Sequence, residues 1–275
     1  MNRINTFMLE RNHFSIQISY RKGHVNLKPI NLTPITKKVE VHFTHNVVQL
    51  SSKRKREIEA FWEEVNRDGS FHRGEAFHVD AVTEDEDAFR FLLKQTDYAH
   101  YLHTVRNHMK DEEGCRIVFG AGLAETQDAV FVFGEMADHT AYPGRLQCAG
   151  GGLSREDLNG NYFDMERSVL REMQEELGVA PHHVERCTPV YVKSGGTYDF
   201  FSILFHVKLN ILQSELKEIY KKFAETLVSK GEQPEFKDVI FLENNKKAIH
   251  NFIENDLRPF EDNLKPFLQK MAECT

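Results

Sequence analysis

The sequence predicts an α/β fold with a mixed sheet held between helices. Three segments carry that expectation. CRIVFGAGLAETQDAVFVFGEM (115–136) has two apolar runs around AETQD, the pattern of a hairpin. DMERSVLREMQEELGV (164–179) is apolar at helical spacing and stops at a glycine. PVYVKSGGTYDFFSILFHVKL (189–209) is a second hairpin, expected to turn at Gly195 and Gly196. Helical ILQSELKEIYKKFAETLVSKG, the strand FKDVIFLE and two closing helices parted at Pro259 follow it. Hairpins alternating with amphipathic helices bury their apolar faces most simply as helices on both sides of one sheet.

The front of the chain reads as short strands and helices. HFSIQISY (13–20) alternates apolar and polar residues, RKGHVNL suggests a hairpin exit at Gly23, and KKVEVHFTHNVVQL (37–50) alternates again. SSKRKREIEAFWEEVNRDG (51–69) changes period. Ser51 or Ser52 caps a helix whose apolar side carries Ile58, Phe61, Trp62 and Val65 and which ends near Gly69. Its KRKR run reads as a solvated face. FHRGEAFHVDAVTEDED (71–87) is expected to be strand, turn, strand. DAFRFLLKQTDYAHYLHTVRNHM (87–109) is expected to be helical, with a break near Thr96 and Asp97. Residues 137–153 read as a loop leading to three glycines, and SREDLNGNY as a polar loop. The division expected is an N-terminal β-rich subdomain with helices over 1–104, packed on a second domain over 105–275.

Composition narrows the function. With 275 residues and a formal net charge of -7, no broad basic field is evident, and nucleic acid is not an expected partner. An acidic enzyme with an anionic substrate needs metal ions or a local group of Arg and Lys. The four cysteines (Cys115, Cys148, Cys187, Cys274) form no CxxC pair and read as reduced thiols. No apolar run reaches signal-peptide or membrane-span length, so a soluble cytoplasmic protein is expected.

The chemistry concentrates in Arg171-Glu172-Met173-Gln174-Glu175-Glu176-Leu177-Gly178-Val179. On a helix Glu172, Glu175 and Glu176 share one face and repel one another. A divalent cation removes that penalty, and Mg²⁺ suits oxygen ligands that also meet phosphates. Three glutamates alone would better suit an ordinary amphipathic acidic helix with a glycine cap. The whole string, R-E-apolar-x-E-E-x-G-apolar after a strand, a loop and glycines, resembles the second half of the Nudix hydrolase signature.

The first half departs from that family's pattern. Leaving five residues after Gly151 lands on Asp157, which lies too far along the chain from Arg171. Counting back from Arg171 lands on Phe163, which binds no metal. An insertion of about six residues, in or after SREDLNGNY, accounts for the mismatch. Asp164 is then the better acidic candidate near the helix start, where the helix dipole favours it. Ala149 stands where a proline is usual. The inserted loop, with FHRGEAFHVDAV, TDYAHYL and EFKDVIFLENNKKAIHNFIE, is similar to the UDP-glucose pyrophosphatase subgroup.

The resemblance implies an α/β/α Nudix sandwich and Mg²⁺ (or Mn²⁺) held by Glu172, Glu175 and Glu176, with Asp164. It implies catalytic roles for Glu172, Glu175 and Arg171, the arginine fixing a glutamate rotamer. The general base would be Glu172, Glu175 or a residue outside the signature. Gly150, Gly151 and Gly152 would let the backbone pass close to the metals. Arg73, Arg145 and Tyr198 are the candidate contacts for a nucleotide-derived substrate; a salt bridge to Glu75, a loop surface and a hairpin end are their respective alternatives. The pairs His42/His45 and His182/His183 lack Cys or Asp at zinc spacing and read as packing or solvated histidines. The expected reaction is hydrolysis of a nucleotide sugar such as UDP-glucose to UMP and sugar 1-phosphate. Alternatives are ADP-ribose or nucleoside triphosphates as substrates, or a non-catalytic ligand sensor.

Overall fold

The computed structural model describes residues 28–67, 69, 71–108, 111–140 and 142–273. The strand expected at 13–20, the turn at Gly23 and Cys274 lie outside the described residues. The first part runs β1 (Lys28–Pro34), β2 (Lys38–Val47), α1 (Ser52–Val65), β3 (Glu75–Glu84), β4 (Ala88–Asp97) and α2 (Tyr98–Arg106). The middle runs β5 (Val118–Glu125), β6 (Val130–Met136), β7 (Leu146–Gln147), β8 (Ala149–Gly151), β9 (Leu158–Asn159), β10 (Tyr162–Phe163) and α3 (Met165–Leu177). The end runs β11 (Val184–Gly196), β12 (Phe201–Leu209), α4 (Gln213–Ser229), β13 (Phe236–Glu243), α5 (Lys246–Asn255) and α6 (Leu264–Glu273).

These elements form a mixed α/β structure. The larger sheet has the order β1-β11-β12-β5-β6-β13, with β7 paired to β6 and β8 to β5. It is mixed because β12 and β5 run parallel while the other pairs are antiparallel. Helices cover both faces. Val169, Met173 and Leu177 of α3 and Leu216 of α4 share a core with Ile203, Phe205 and Val207 of β12. On the opposite face Ile249 of α5 and Phe267, Leu268 and Met271 of α6 pack with Leu123, Phe131, Phe133 and Leu204. Close approach of α3 depends on glycines in β5. A Cβ on Gly120 would lie 2.6 Å from Val169 Cγ2, and one on Gly122 2.8 Å from Val169 Cγ1.

The smaller sheet, ordered β3-β4-β2-β10-β9, draws strands from both sides of the expected boundary near residue 104. The loop inserted into the signature folds as the hairpin β9–β10 and pairs Tyr162 with His42 of β2. Phe163, 4% exposed, is the anchor: its ring meets Phe77 at 4.7 Å and Phe43 at 6.2 Å. Conversely β1 leaves the N-terminal part to edge the larger sheet beside β11.

Several local expectations are corrected. Residues 88–97 form a strand, not a helix. β4 pairs with β2 on one side and β3 on the other, burying Ala88, Phe91 and Leu93, so sheet pairing overrides an ambiguous apolar run. The expected break is real, because Asp97 caps α2 by accepting from the His100 N–H. The glycine-bearing loop contains β7 and β8, and SREDLNGNY contains a 3₁₀ turn and β9. Gly195 and Gly196 end β11 in left-handed conformations, and the hairpin turns after them, at 197–200.

Candidate active site

The helix bearing the glutamates has defined ends. Asp164 accepts from the Arg167 N–H at the start, and Gly178 closes it at φ 71°. A Cβ at Gly178 would press on Phe223 of α4 at 2.8 Å, so the glycine also sets how α4 packs. The buried side of α3 is Val169, Met173 and Leu177. The remaining face turns Glu172 and Glu176 inward under β8.

There the backbone meets the carboxylates. The Gly150 N–H donates to Glu176 Oε2 at 2.9 Å. A Cβ on Gly151 would lie 2.6 Å from Glu172 Oε1, inside the space the carboxylate fills. A Cβ on Gly150 would meet the Gly120 carbonyl oxygen at 2.3 Å. Gly152 follows directly after β8. Glu235, just ahead of β13, adds a fourth carboxylate and shares a side-chain hydrogen bond with Glu176.

Electrostatics mark this group out. Glu176 is 2% exposed. Burial, then repulsion from Glu235 and Glu172, pushes its pKa well up against the opposing Gly150 hydrogen bond. Burial first, then Glu175 and Glu235, raises Glu172 to about 7, with Arg171 opposing. Glu235 is raised by burial and by Glu175, and lowered by Glu176 and Arg145. Burial opposes the charge on Arg171, but Glu172, Asp157 and Glu175 outweigh it and hold its pKa above the usual value.

Arg171 organises one side. Its Nη1 lies 2.8 Å from Glu172 Oε1 and 2.9 Å from Glu175 Oε2. Its Nε and Nη2 donate to Asp157 at 3.3 and 3.2 Å. Asp157 is 1% exposed and also accepts from the Ser154 N–H. The acid that reaches Arg171 is therefore Asp157 and not Asp164. Asp164 is an exposed helix cap, about 12 Å of helix rise before Glu172 at 1.5 Å per residue. The extra residues after Asp157 loop out as β9–β10, so the long sequence separation is not a long distance.

The other candidates are dispersed. Arg73 is held by Glu59 at 2.6 Å and Asp97 at 2.8 Å; Glu75 instead pairs with Arg155. Its guanidinium has no ion pair with a carboxylate of α3. Arg145 stacks 3.8 Å above Tyr142 and donates to Gln147, while its buried Nε has no hydrogen-bond partner among the described residues. It acts electrostatically on Glu235 and Glu261. Tyr198 stacks on His108 and Phe200 at the turn after β11. His42 lies beside Glu40, His45 contacts Asn161, and His182 packs on His183.

Among the described residues no three His, Cys, Asp or Glu side chains are already gathered as a metal site. The reason is visible: Glu172 and Glu175 are drawn onto the Arg171 guanidinium. The donor chemistry nevertheless fits a hard divalent cation, since every candidate ligand is a carboxylate oxygen and the buried members repel one another.

One pH response follows. A carboxyl raised from 4.5 to about 7 binds more protons folded than unfolded between those values. Its contribution to stability is present below pH 4.5 and is lost as the pH rises through about 7. Metal-free wild type should lose stability relative to Glu172→Gln over that interval, measured by denaturant melts. A difference between the two that is flat with pH would show the carboxyl is not raised.

No family model matches the sequence, and no curated protein matches it. Solved structures do resemble it. DR0079 from Deinococcus radiodurans has 10% identity, covering 72% of this chain and 99% of that one, with a TM-score of 0.41. A Nudix hydrolase from M. Smegmatis has 11% identity, covering 59% of this chain and 90% of that one, at 0.37. A bifunctional NMN adenylyltransferase/ADP ribose pyrophosphatase from Francisella tularensis, complexed with AMP and a Mn ion, has 13% identity at 0.39. That match covers 64% of this chain and 46% of that one. The structural neighbours thus include Nudix hydrolases.

Proposed function

We propose that this chain is a metal-dependent Nudix-type hydrolase cutting a phosphoanhydride bond in a nucleoside diphosphate derivative. A nucleotide sugar such as UDP-glucose is the leading substrate, with UMP and sugar 1-phosphate as products. The observation that supports it most is the burial of Glu176 beside Glu172 and Glu235, against a glycine strand that leaves no room for a Cβ. Buried like charges are costly unless a cation compensates them.

Glu172, Glu175 and Glu176, with Glu235, would hold Mg²⁺ or Mn²⁺. Bound there, the cation supplies neutralisation of the diphosphate and a more acidic water. Arg171 sets the rotamers of Glu172 and Glu175, and the Gly150 N–H fixes Glu176. Arg145 offers its unpartnered Nε to a substrate oxygen. Glu172 and Glu175 are the candidates to accept the proton of the attacking water. Positioning and electrostatics then carry the rate, with no covalent intermediate.

The test is a panel of nucleotide sugars, dinucleotides and nucleoside triphosphates with Mg²⁺ or with EDTA, read as nucleoside monophosphate formed. Cleavage of UDP-glucose abolished by EDTA supports the reading. Cleavage of another member moves the substrate and keeps the reaction. No cleavage, with a nucleotide still raising Tm, favours a ligand sensor.

A further inference from the structure

The proposed reaction leaves the N-terminal helix α2 without a role, yet α2 reaches the neighbourhood of the carboxylates. Tyr101 of α2 is hydrogen-bonded through its hydroxyl to Tyr142, in the segment between β6 and β7. Tyr98, also on α2, packs on Tyr101 at 5.6 Å between ring centroids. Tyr142 carries the Arg145 guanidinium 3.8 Å above its ring. Arg145 in turn faces Glu235 and Glu261, both of which act on Glu176. Short links therefore join the α2 tyrosines to the carboxylate group through one stacked arginine.

The chemistry of that link is specific. Burial pushes Tyr98 up to about 12 and raises Tyr101 and Tyr142, so all three phenols remain neutral near pH 7. Neutral rings beside a planar guanidinium form a π platform, and guanidinium planes and aromatic rings both stack on heterocycles. The buried Nε of Arg145 has no hydrogen-bond partner among the described residues, an orphaned donor at the edge of the platform that a ligand oxygen would satisfy.

We propose that Tyr142 and Arg145, backed by Tyr101 and Tyr98, form the subsite for the nucleobase, so that the N-terminal region determines specificity. This rests on the hydrolase reading for the position of the diphosphate. The subsite itself can be tested without turnover. Because Arg145 acts on Glu235, a base stacked on Tyr142 and Arg145 would direct its ribose 5′-phosphate toward that carboxylate group.

The experiment is calorimetric binding of UMP, ribose 5-phosphate and glucose 1-phosphate to the full chain in Mg²⁺. The proteins are wild type, Tyr142→Ala, Tyr142→Phe and Tyr101→Ala. Alanine at 142 should weaken UMP about 10-fold or more, the scale of one lost base stack. Phenylalanine, which keeps the ring and drops the bond to Tyr101, should stay within about 3-fold. Ribose 5-phosphate and glucose 1-phosphate should bind all four proteins alike. The subsite is refuted if UMP fails to bind wild type or binds all variants equally. It is also refuted if glucose 1-phosphate is the ligand that Tyr142→Ala loses. Absent hydrolysis across the substrate panel with these binding differences intact would sink the reaction and keep the subsite. Thermal melts identify a misfolded alanine variant, in which case Tyr101→Ala decides: UMP bound with unchanged affinity refutes the subsite.

Discussion

Glu176→Gln should abolish turnover while leaving the protein at least as stable as wild type. The two effects have one origin. Glu176 sits 2% exposed beside Glu235 and Glu172, and burial plus their repulsion disfavours its charge. Glutamine keeps the geometry: its carbonyl oxygen can accept from the Gly150 N–H as Oε2 does now, and its NH₂ can donate to Glu235. One buried like charge disappears, so the metal-free Tm should hold or rise. For the proposed reaction the same change removes an anionic ligand from the candidate metal site. A loss of at least about 10²–10³ in kcat matches removal of a single preorganised electrostatic group. The paired readout is Tm with and without Mg²⁺. Millimolar Mg²⁺ should raise Tm for wild type by linkage and much less for the variant. Turnover retained within a few-fold, or equal Mg²⁺ shifts in both proteins, would remove Glu176 from the proposed machinery.

The parts of this site legible in the sequence are those with a local period. Glu172, Glu175 and Glu176 are spaced for one helix face, and Gly178 marks the stop, so α3 and its acidic side follow from residue order alone. Glu235 and Glu261 carry no such mark. They arrive from just ahead of β13 and from the segment after Pro259 that bridges Leu146 to Phe260, contacts made only by tertiary packing. Asp157 is an intermediate case. Counting on from Gly151 finds it, but the chain between it and Arg171 looks too long unless β9–β10 is recognised as a hairpin that returns to its origin. The same hairpin explains the smaller sheet, whose strands come from three separated segments. β4 was hidden for another reason: Phe91, Leu92 and Leu93 satisfy a helical or a strand pattern equally, and only pairing with both β2 and β3 decides.

Replacing Arg171 with Met should be the most destabilising single change at the site. The guanidinium uses Nε and Nη2 on Asp157 and Nη1 on Glu172 and Glu175. Its removal leaves Asp157, 1% exposed, with the Ser154 N–H as its remaining partner here. It also removes the main charge opposing the rise of the Glu172 pKa. Breaking one side of a buried ion pair costs about 3–5 kcal/mol. Lysine should restore little, because one ammonium cannot span the Asp157 and Glu172/Glu175 sides as a forked guanidinium does. Asp157→Asn alone should cost less, since Arg171 keeps both glutamates. Combined with Arg171→Met it should recover part of the loss, because the stranded carboxylate is gone, and the double-mutant cycle then shows a coupling of about 1–3 kcal/mol. Urea melts of the four proteins at pH 7 provide the measurement. Strict additivity would mean that Asp157 and Arg171 stabilise the fold independently, and that the inserted hairpin does not brace the glutamate helix through them.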